Sequence, residues 1–222
     1  MSARAVPERA DEHVDEQTIK APEHEEVLGR FLEIQHPPDV PELRLWLVAG
    51  HVDLNARCAE LLAGGYAPYW AFCWGGGQAL ARYVLSHPEI VAGQTVIDFG
   101  AGSGVVAVAA ARAGAARVIA VDTDAKSRHF AGLNAALNGV SIETSAELPA
   151  RFDVMLASDV FYDLEATRIV RELLDTGCRA YISDAGRPGS YRPPQEPLAW
   201  VDARTFPDVD YPIATSAIYR FG

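Results

Sequence analysis

Two short stretches of this 222-residue sequence place acids where chemistry could occur. In the first, VIDFGAGSG, Asp98 is followed by Gly100, Gly102 and Gly104. Glycines there permit positive φ angles and let the backbone approach a ligand closely, ahead of a helix N-terminus. A dinucleotide fingerprint would need its third glycine one residue later, where the chain has a valine. The leading acid suits the ammonium of a methionine moiety better than a pyrophosphate.

A second acid, Asp122, ends the next predicted strand, one helix after Asp98. An acid in that position can accept hydrogen bonds from both hydroxyls of a ribose, and Asp124 is a second choice for this contact. Glycine loop, leading acid and ribose acid together resemble the cofactor-binding part of the class I (seven-strand) methyltransferases. That resemblance implies S-adenosyl-L-methionine as the cofactor. The alternative is a nucleotide-binding Rossmann domain that transfers no methyl group.

The second stretch, LASDVFYD, follows a predicted buried strand that ends at Ser158. Asp159 comes next, then two adjacent aromatic residues, Phe161 and Tyr162, and then Asp163. A simple turn after a strand would more usually contain Gly, Asn or Pro. Asp163 is better explained as the N-cap of the following helix than as a catalytic group.

A tryptophan–glycine run lies upstream of these motifs. In PYWAFCWGGGQALARYVL, Trp74 precedes three glycines and a predicted helix. One explanation is an aromatic loop that caps the core, and taken alone it is the better one. The other is that Trp74 covers a methyl-donor pocket, where a ring face beside a sulfonium gains ~1–2 kcal/mol.

The elements that position these residues alternate along the chain. Predicted strands cover 95–99, 116–122, 140–144, 152–158 and 179–185, and predicted helices cover 103–114, 125–139 and 165–177. Such alternation predicts a largely parallel sheet with helices on both faces. Two further strands near the C-terminus, joined by a short connection from Pro207 to Pro212, predict an antiparallel hairpin at the sheet edge. The predicted fold class is therefore α/β, Rossmann-like, with a seven-stranded sheet.

The beginning of the chain differs in composition. Residues 1–26 are rich in acids and poor in apolar side chains, which predicts a disordered acidic tail. Residues 27–222 are predicted to form a single methyltransferase domain with a helical extension over 27–90. Short helices and loops are expected up to about Gly65, because prolines interrupt the apolar segment there.

The net charge and the cysteines indicate which binding partners and which cellular compartment to expect. A net charge of −11 argues against nucleic acid and anionic membranes, which both require a basic surface. The three cysteines are far apart without a C-x-x-C pair, and the six histidines are scattered, so neither a metal site nor a disulfide framework is predicted. The acidic N-terminus has no signal-peptide or transit-peptide pattern. We expect a cytoplasmic monomer.

Several segments together resemble one group of enzymes closely. They are PYWAFCWGGGQALARYVL, the glycine loop, DVFYD and GRP (186–188), with TSAIYRF at the end. From about residue 66 onward they are similar to the protein-lysine methyltransferases that modify the beta subunit of electron transfer flavoprotein. The most specific element is D-x-F-Y, formed here by Asp159, Phe161 and Tyr162. The resemblance implies a protein-lysine N-methyltransferase whose protein partner is that beta subunit.

The resemblance also assigns roles. Asp159, Phe161 and Tyr162 are expected at the catalytic site, with the two rings against the lysine stem and the methylammonium product. A carboxylate of pKa near 3.9 is a poor base for a lysine near 10.4, since about six units correspond to roughly 8–9 kcal/mol. Asp159 is therefore expected to orient the amine and to stabilise its developing charge. Core packing is an equally good explanation for Phe161. The residues expected to bind cofactor are Trp74, Asp98, Gly100, Gly102, Gly104, Asp122 and Ser158.

Two contacts and three alternative functions stay open. ETSAEL, after the third strand, offers no Asp or Asn for the adenine amino group, so backbone groups or Ser145 would have to serve. Arg187 could hold its loop, bind a substrate carboxylate or lie in a surface turn. A ribosomal-protein methyltransferase would share the glycine loop and the N…NGV pattern (Asn134, Asn138 to Val140). The second alternative is a small-molecule N-methyltransferase that acts on a nicotinamide-like amine. The third is a non-catalytic S-adenosylmethionine-binding module, and the intact Asp159 argues against it.

Overall fold

The computed structural model describes residues 31–50, 68–209 and 212–222 of the chain. The predicted acidic tail, residues 1–26, lies outside the described residues. Within them, no helix is both long and apolar enough to cross a membrane. The bounds of the predicted single domain, 27–222, stay a prediction.

A seven-stranded sheet forms the centre of the protein. Its strands are β3 (Thr95–Phe99), β4 (Arg117–Val121), β5 (Glu143–Ser145), β6 (Val154–Ser158), β7 (Ala180–Asp184), β8 (Ala199–Asp202) and β9 (Thr215–Phe221), in the order β5-β4-β3-β6-β7-β9-β8. The first five strands in this order, β5, β4, β3, β6 and β7, pair in parallel. Strand β9 runs antiparallel to both β7 and β8. The predicted α/β fold class is confirmed.

In the part of the chain that the structure describes, four α-helices pack on the sheet: α1 (Gly75–Ser86), α2 (Val105–Arg112), α3 (Ala125–Leu137) and α4 (Leu164–Asp175). Successive strand residues point to opposite faces, so Val96 and Ile97 in β3 belong to different core clusters. Buried residues of α1, α2 and α3 share the cluster of Val96, and Val170 of α4 belongs to that of Ile97. Because both faces are buried, the central strands are continuous apolar runs, which is why they could be predicted.

The C-terminal hairpin is confirmed, but its connection is longer than the predicted 207–212. β8 ends at Asp202 and β9 begins at Thr215. The chain leaves the sheet between them to pair with the segment that precedes α1: Cys73 and Phe206 exchange two backbone hydrogen bonds of 2.8 Å. The side chain of Gln78 also donates to the carbonyl of Arg204. This connection therefore supports the start of α1.

The predicted helical extension is wrong over the described part that precedes residue 50. There the chain forms a two-stranded antiparallel sheet of β1 (Leu32–Gln35) and β2 (Leu45–Val48). The reason is visible in β2, where Leu45 and Leu47 are fully buried and alternate with the half-buried Trp46. The proline-rich segment between the strands makes the turn instead of ending helices.

The two-stranded sheet is fastened to α3 by two asparagines. The backbone N–H of Trp46 donates to Asn134 Oδ1 at 2.7 Å. Asn138 Oδ1 accepts from the backbone N–H of Arg44 at 3.0 Å, and its amide donates to the Arg44 carbonyl at 2.6 Å. The N…NGV pattern thus contributes to the attachment of an N-terminal element in this chain.

Candidate functional site

The glycine loop joins β3 to α2 at the carboxyl edge of the sheet. Gly100, Gly102 and Gly104 have φ angles of 72°, 51° and 76°. A Cβ at Gly104 would lie 2.7 Å from Ala131 Cα in α3, so only glycine fits at this crossing. A Cβ at Gly102 would meet no atom within 4 Å. The loop is therefore tight against α3 and open at its middle, as a phosphate- or amino-acid-binding turn must be.

Asp98, the leading acid of the loop, is buried at the end of β3. Its Oδ2 accepts from the backbone N–H of Ala107 in α2 at 2.9 Å, whereas Oδ1 has no hydrogen-bond partner. Burial raises the pKa of Asp98 to about 8, and the neighbouring charge of Asp122 adds to the effect. A buried acceptor without a donor indicates a missing partner. The ammonium of a methionine moiety would supply both the donor and the charge.

Asp122 faces the same loop from the end of β4. Its Oδ2 accepts from the backbone N–H of Gly102, and its Oδ1 from that of Asp124, both at 2.9 Å. Burial raises its pKa. Asp124 has a different task, because its side chain caps α3 by accepting from the Lys126 N–H at 2.9 Å and from the Ser127 hydroxyl at 3.2 Å. Asp122 is therefore the better candidate of the two for a ribose contact.

Ser145 is occupied within its own turn. Its hydroxyl donates to the carbonyl of Glu147 at 2.6 Å and accepts from the Glu147 N–H at 3.0 Å. The Ser145 carbonyl accepts from the Asp122 N–H at 3.1 Å, so this backbone lies next to the residue expected to bind the ribose. An adenine contact from backbone groups fits this arrangement better than one from the Ser145 side chain.

Asp159 lies directly after β6, next to the glycine loop. Its neighbour Val160 packs against the loop, since a Cβ at Gly100 would lie 2.7 Å from a Val160 methyl. Asp159 has a φ of 52°, and its own N–H donates to the Ser183 carbonyl at 2.9 Å. A residue other than glycine in this left-handed region is uncommon and is typical of functional sites.

Three donors hold the Asp159 carboxylate. Oδ2 accepts from the backbone N–H of Gly76 at 2.7 Å, and Oδ1 from that of Ala185 at 3.1 Å. Arg187 Nη1 is 2.6 Å from Oδ1, in an ion pair whose Asp159 side chain is 5% exposed. The start of α1, the end of β6 and the loop after β7 therefore meet at this carboxylate.

A second carboxylate, Asp184, lies beside this pair at the end of β7. Its Oδ1 accepts from the Gly186 N–H at 2.7 Å. Burial and the nearby Asp159 raise the pKa of Asp184 to about 6, although Arg187 acts in the opposite direction. This carboxylate was not predicted, because nothing in the local sequence separates it from an ordinary strand end.

Aromatic rings surround the ion pair on its open side. The Arg187 guanidinium carbon is 5.0 Å from the centroid of the Trp74 ring. Tyr69 bridges the cluster, with its ring centroid 5.7 Å from that of Trp74 and 5.8 Å from that of Tyr162. The Trp74 indole N–H donates to the Tyr69 carbonyl at 2.9 Å. Tyr69 was missed in the sequence, although it lies in the same PYW segment.

The two aromatic residues of D-x-F-Y point to different places. Phe161 is 2% exposed and packs in the core beneath α4, edge-to-face with Tyr191 at 5.2 Å. Tyr162 is 53% exposed and joins the ring cluster near Asp159. Partial burial, with Tyr69 and Asp163 nearby, raises the pKa of its hydroxyl to about 12. The position of Phe161 favours its packing explanation. Asp163 caps α4 as expected, accepting from the Ala166 N–H at 2.7 Å.

Ser158 immediately precedes Asp159 and faces the start of α1. It is half-buried at the end of β6, and its hydroxyl would be 3.6 Å from a Cβ at Gly77 in α1. Among the residues that the structure describes, no group of three or more His, Cys, Asp or Glu side chains could hold a metal ion.

Comparison with known proteins shows which enzymes this chain resembles. The family model of ribosomal protein L11 methyltransferase (PrmA) matches residues 78–176, which include the glycine loop and D-x-F-Y. Over that range the chain is similar to the PrmA-like methyltransferases. Its fold agrees, since the crystal structure of a proposed RNA methyltransferase from Pyrococcus horikoshii matches with a TM-score of 0.52 and 18% identity, covering 66% of this chain and 84% of that one.

Within this methyltransferase group, the similarity extends to named lysine methyltransferases. The electron transfer flavoprotein beta subunit lysine methyltransferase of Rattus norvegicus is 39% identical over 132 residues, covering 54% of this chain and 52% of its own. That of Xenopus laevis is 37% identical over 161 residues, covering 68% and 65%. The resemblance that the motifs indicated is thus confirmed. The chain spans about half to two thirds of the length of these relatives.

Proposed function

We propose that this PrmA-like chain is a protein-lysine N-methyltransferase that uses S-adenosyl-L-methionine and acts on the electron transfer flavoprotein beta subunit. The observation that carries the proposal is the carboxylate of Asp159 beside the exposed rings of Tyr69 and Tyr162 and the half-buried ring of Trp74, next to the glycine loop. The names of the similar rat and frog proteins support the same substrate. The predicted cytoplasmic location and monomeric state belong to this proposal.

The cofactor would be held by the residues that face the glycine loop. Asp98 would accept the ammonium, Asp122 the ribose hydroxyls, and the open middle of the loop at Gly102 would lie along the methionine moiety. When bound, S-adenosyl-L-methionine supplies an electrophilic methyl group on a sulfonium. Ser158, between α1 and the loop, would border the sulfonium end of this pocket.

The protein's own part in the transfer is to position and desolvate the lysine. Tyr69 and Tyr162 present ring faces along which the methylene stem can pack. Asp159 would then orient the nitrogen and stabilise the positive charge that develops on it. Because the hydroxyl pKa of Tyr162 is raised to about 12, that side chain keeps its proton at neutral pH and is not the base. The lysine proton is lost to water.

A second candidate is methylation of a ribosomal protein. The match of residues 78–176 to the ribosomal protein L11 methyltransferase model favours it. That match covers the cofactor-binding part and α4, and leaves out the Tyr69–Trp74 segment that borders the proposed lysine site. The lysine-methyltransferase relatives match more of the chain, 68% for the Xenopus laevis protein, and are the better guide to substrate.

The test uses methyl-labelled S-adenosyl-L-methionine with purified electron transfer flavoprotein, purified ribosomal protein L11 and a cell extract in parallel. Label on lysine of the beta subunit is expected; label only on L11 favours the second candidate. Label confined to small molecules would contradict a protein substrate.

Asp159→Ala should abolish transfer while calorimetry still detects donor binding. The matched control is Asp163→Ala, because Asp163 lies in the same segment but caps α4 instead of facing the site. It should keep most of the transfer activity. Loss of donor binding in Asp159→Ala would reassign that residue to the cofactor pocket.

A further inference from the structure

Arg187 makes the two contacts that the proposed substrate cation requires. Its Nη1 is 2.6 Å from Asp159 Oδ1, and its guanidinium carbon lies 5.0 Å from the centroid of the Trp74 ring. A carboxylate and an aromatic face are also what a lysine ammonium or a methylammonium would seek at this site. The side chain of Arg187 is 18% exposed, so it is reachable from the surface.

With Arg187 in place, Asp159 has no charge to offer that is not already paired. Oδ1 already accepts from Arg187 and from the Ala185 N–H, and Oδ2 accepts from the Gly76 N–H. The carboxylate is almost fully buried, and a second cation approaching it would meet the guanidinium first. Removing Arg187 would leave Asp159 oriented by its two backbone donors, with one side of Oδ1 open toward Trp74.

We infer that Arg187 is an internal stand-in for the substrate cation, and that the substrate lysine enters by displacing it from Asp159 and Trp74. The inference rests on the proposed function and makes Arg187 a specificity-determining residue. Only a cationic side chain on a long stem can replace both the ion pair and the ring contact, so neutral side chains are rejected. Gly186 and Gly189 lie on either side of the arginine with φ angles of 65° and 85°, and glycine permits more backbone conformations than other residues do.

The displacement has a measurable cost. A ligand that binds only when a competing group has moved shows an apparent affinity reduced by the fraction of molecules in the open state. Arg187→Gln removes the competing charge but keeps a polar planar group beside Asp159. It should therefore bind a small amine more tightly than the wild-type protein does, by about tenfold or more.

The probe is n-butylammonium, which has the stem and the charge of a lysine side chain, with n-butanol as the neutral control. NMR titration of the full wild-type chain follows the side-chain protons of Arg187, which the Trp74 ring shifts, and the Trp74 indole N–H. We expect n-butylammonium to abolish the ring-current shift of Arg187, and n-butanol to leave it unchanged. Binding of n-butylammonium without any change in the Arg187 signals would overturn the inference.

Variants give an independent readout. Arg192→Gln is the matched control, because Arg192 lies in the same loop and donates to the Gly186 carbonyl at 3.4 Å without touching Asp159. Its affinity for n-butylammonium should equal that of the wild type, whereas that of Arg187→Gln should be higher. Equal affinity in Arg187→Gln and wild type would contradict displacement. If Arg187→Gln does not fold, the wild-type titration decides alone.

These measurements involve no methyl transfer, so the two proposals can fail separately. Displacement of Arg187 by n-butylammonium, with no protein labelled in the transfer assay, would support the cation site and contradict the protein substrate. Label on the beta subunit with unmoved Arg187 signals would support the function and contradict the displacement.

Discussion

Asp159 and Gly76 are in direct contact although they lie in distant parts of the chain. The backbone N–H of Gly76 donates to Asp159 Oδ2 at 2.7 Å, and a Cβ on Gly76 would lie 2.6 Å from the same oxygen. Gly76 lies in the first turn of α1, where a helix carries unpaired N–H groups and a partial positive charge. The carboxylate thus gives a hydrogen-bond acceptor to an unpaired N–H group of α1, and the helix end stabilises the negative charge of the carboxylate.

Gly76→Ala should break this contact. The added methyl group must push Asp159 or α1 aside, and overpacking of this kind costs about 1–3 kcal/mol of unfolding free energy. Methyl transfer should fall with it, because Asp159 loses its position. The control is Gly132→Ala in the middle of α3, where a Cβ meets nothing within 4 Å and where alanine should stabilise by about 0.5–1 kcal/mol. Urea denaturation compares the unfolding free energies of the two variants. If Gly76→Ala changed neither the stability nor the methyl transfer, the contact would be dispensable.

The sequence predicted the part of the fold that local patterns determine. The strand 95–99 was predicted with its observed ends, because a buried apolar run there is bounded by Gly93 and Gly100. The two-stranded sheet at 32–48 was not predicted, because β1 has little alternation of its own and β2 is held by distant partners such as Asn134. Long-range contacts decide such elements, and a single sequence does not show them.

The candidate site divides in the same way. Asp98 and Asp122 could be proposed from the sequence because each ends a recognisable strand near glycine or another acid. The ion pair of Asp159 with Arg187 was not, since it depends on how the loops after β6 and β7 meet. Phe161 shows the limit most plainly: adjacent residues in a loop can face opposite sides, and only the structure separates Phe161 in the core from Tyr162 at the site.

Substitution of Phe161 should mainly lower stability, whereas substitution of Tyr162 should mainly lower activity. Phe161→Leu removes ring contacts from a closed core and should lower the unfolding free energy by about 1–2 kcal/mol, with little change in the kcat of the remaining folded protein. Tyr162→Leu changes an exposed ring and should alter stability by no more than about 0.5 kcal/mol while raising KM for the lysine substrate. Denaturation and steady-state transfer kinetics measure both. The opposite pattern would place Phe161 in contact with substrate.

Asn134 should matter more than Asn138, although both fasten the two-stranded sheet to α3. The fully buried Asn134 donates to the Ser103 carbonyl of the glycine loop at 2.8 Å and accepts from Trp46. Asn134→Ala leaves a buried donor and acceptor unpaired, which costs about 1–3 kcal/mol each. Asn138→Ala exposes its partners to water and should cost about 1 kcal/mol. Urea denaturation measures the difference in unfolding free energy between the two variants. Hydrogen exchange at the Trp46 amide should accelerate only with Asn134→Ala. Equal effects of the two substitutions would contradict the role given to the two buried hydrogen bonds of Asn134.

The raised pKa of Asp98 predicts a proton linkage on cofactor binding. Since that pKa is about 8 in the ligand-free protein, against an ordinary value of 3.8, Asp98 is protonated at pH 6.5. Its contribution to folding stability therefore falls as the pH rises from about 4 to about 8. An ammonium beside Oδ1 favours the ionised form, so binding must release the proton.

S-adenosylhomocysteine carries the same ammonium and tests this release without turnover. Near pH 6.5, where an α-amine of pKa about 7.7–8.0 is charged, calorimetry in two buffers of different ionisation enthalpy should show release of close to one proton. Asp98→Asn should bind more weakly and release almost none, and the affinity of the wild type should rise between pH 6 and pH 7.5. Equal proton release by both proteins would mean that the ammonium does not contact Asp98, and that its unpaired oxygen has another donor.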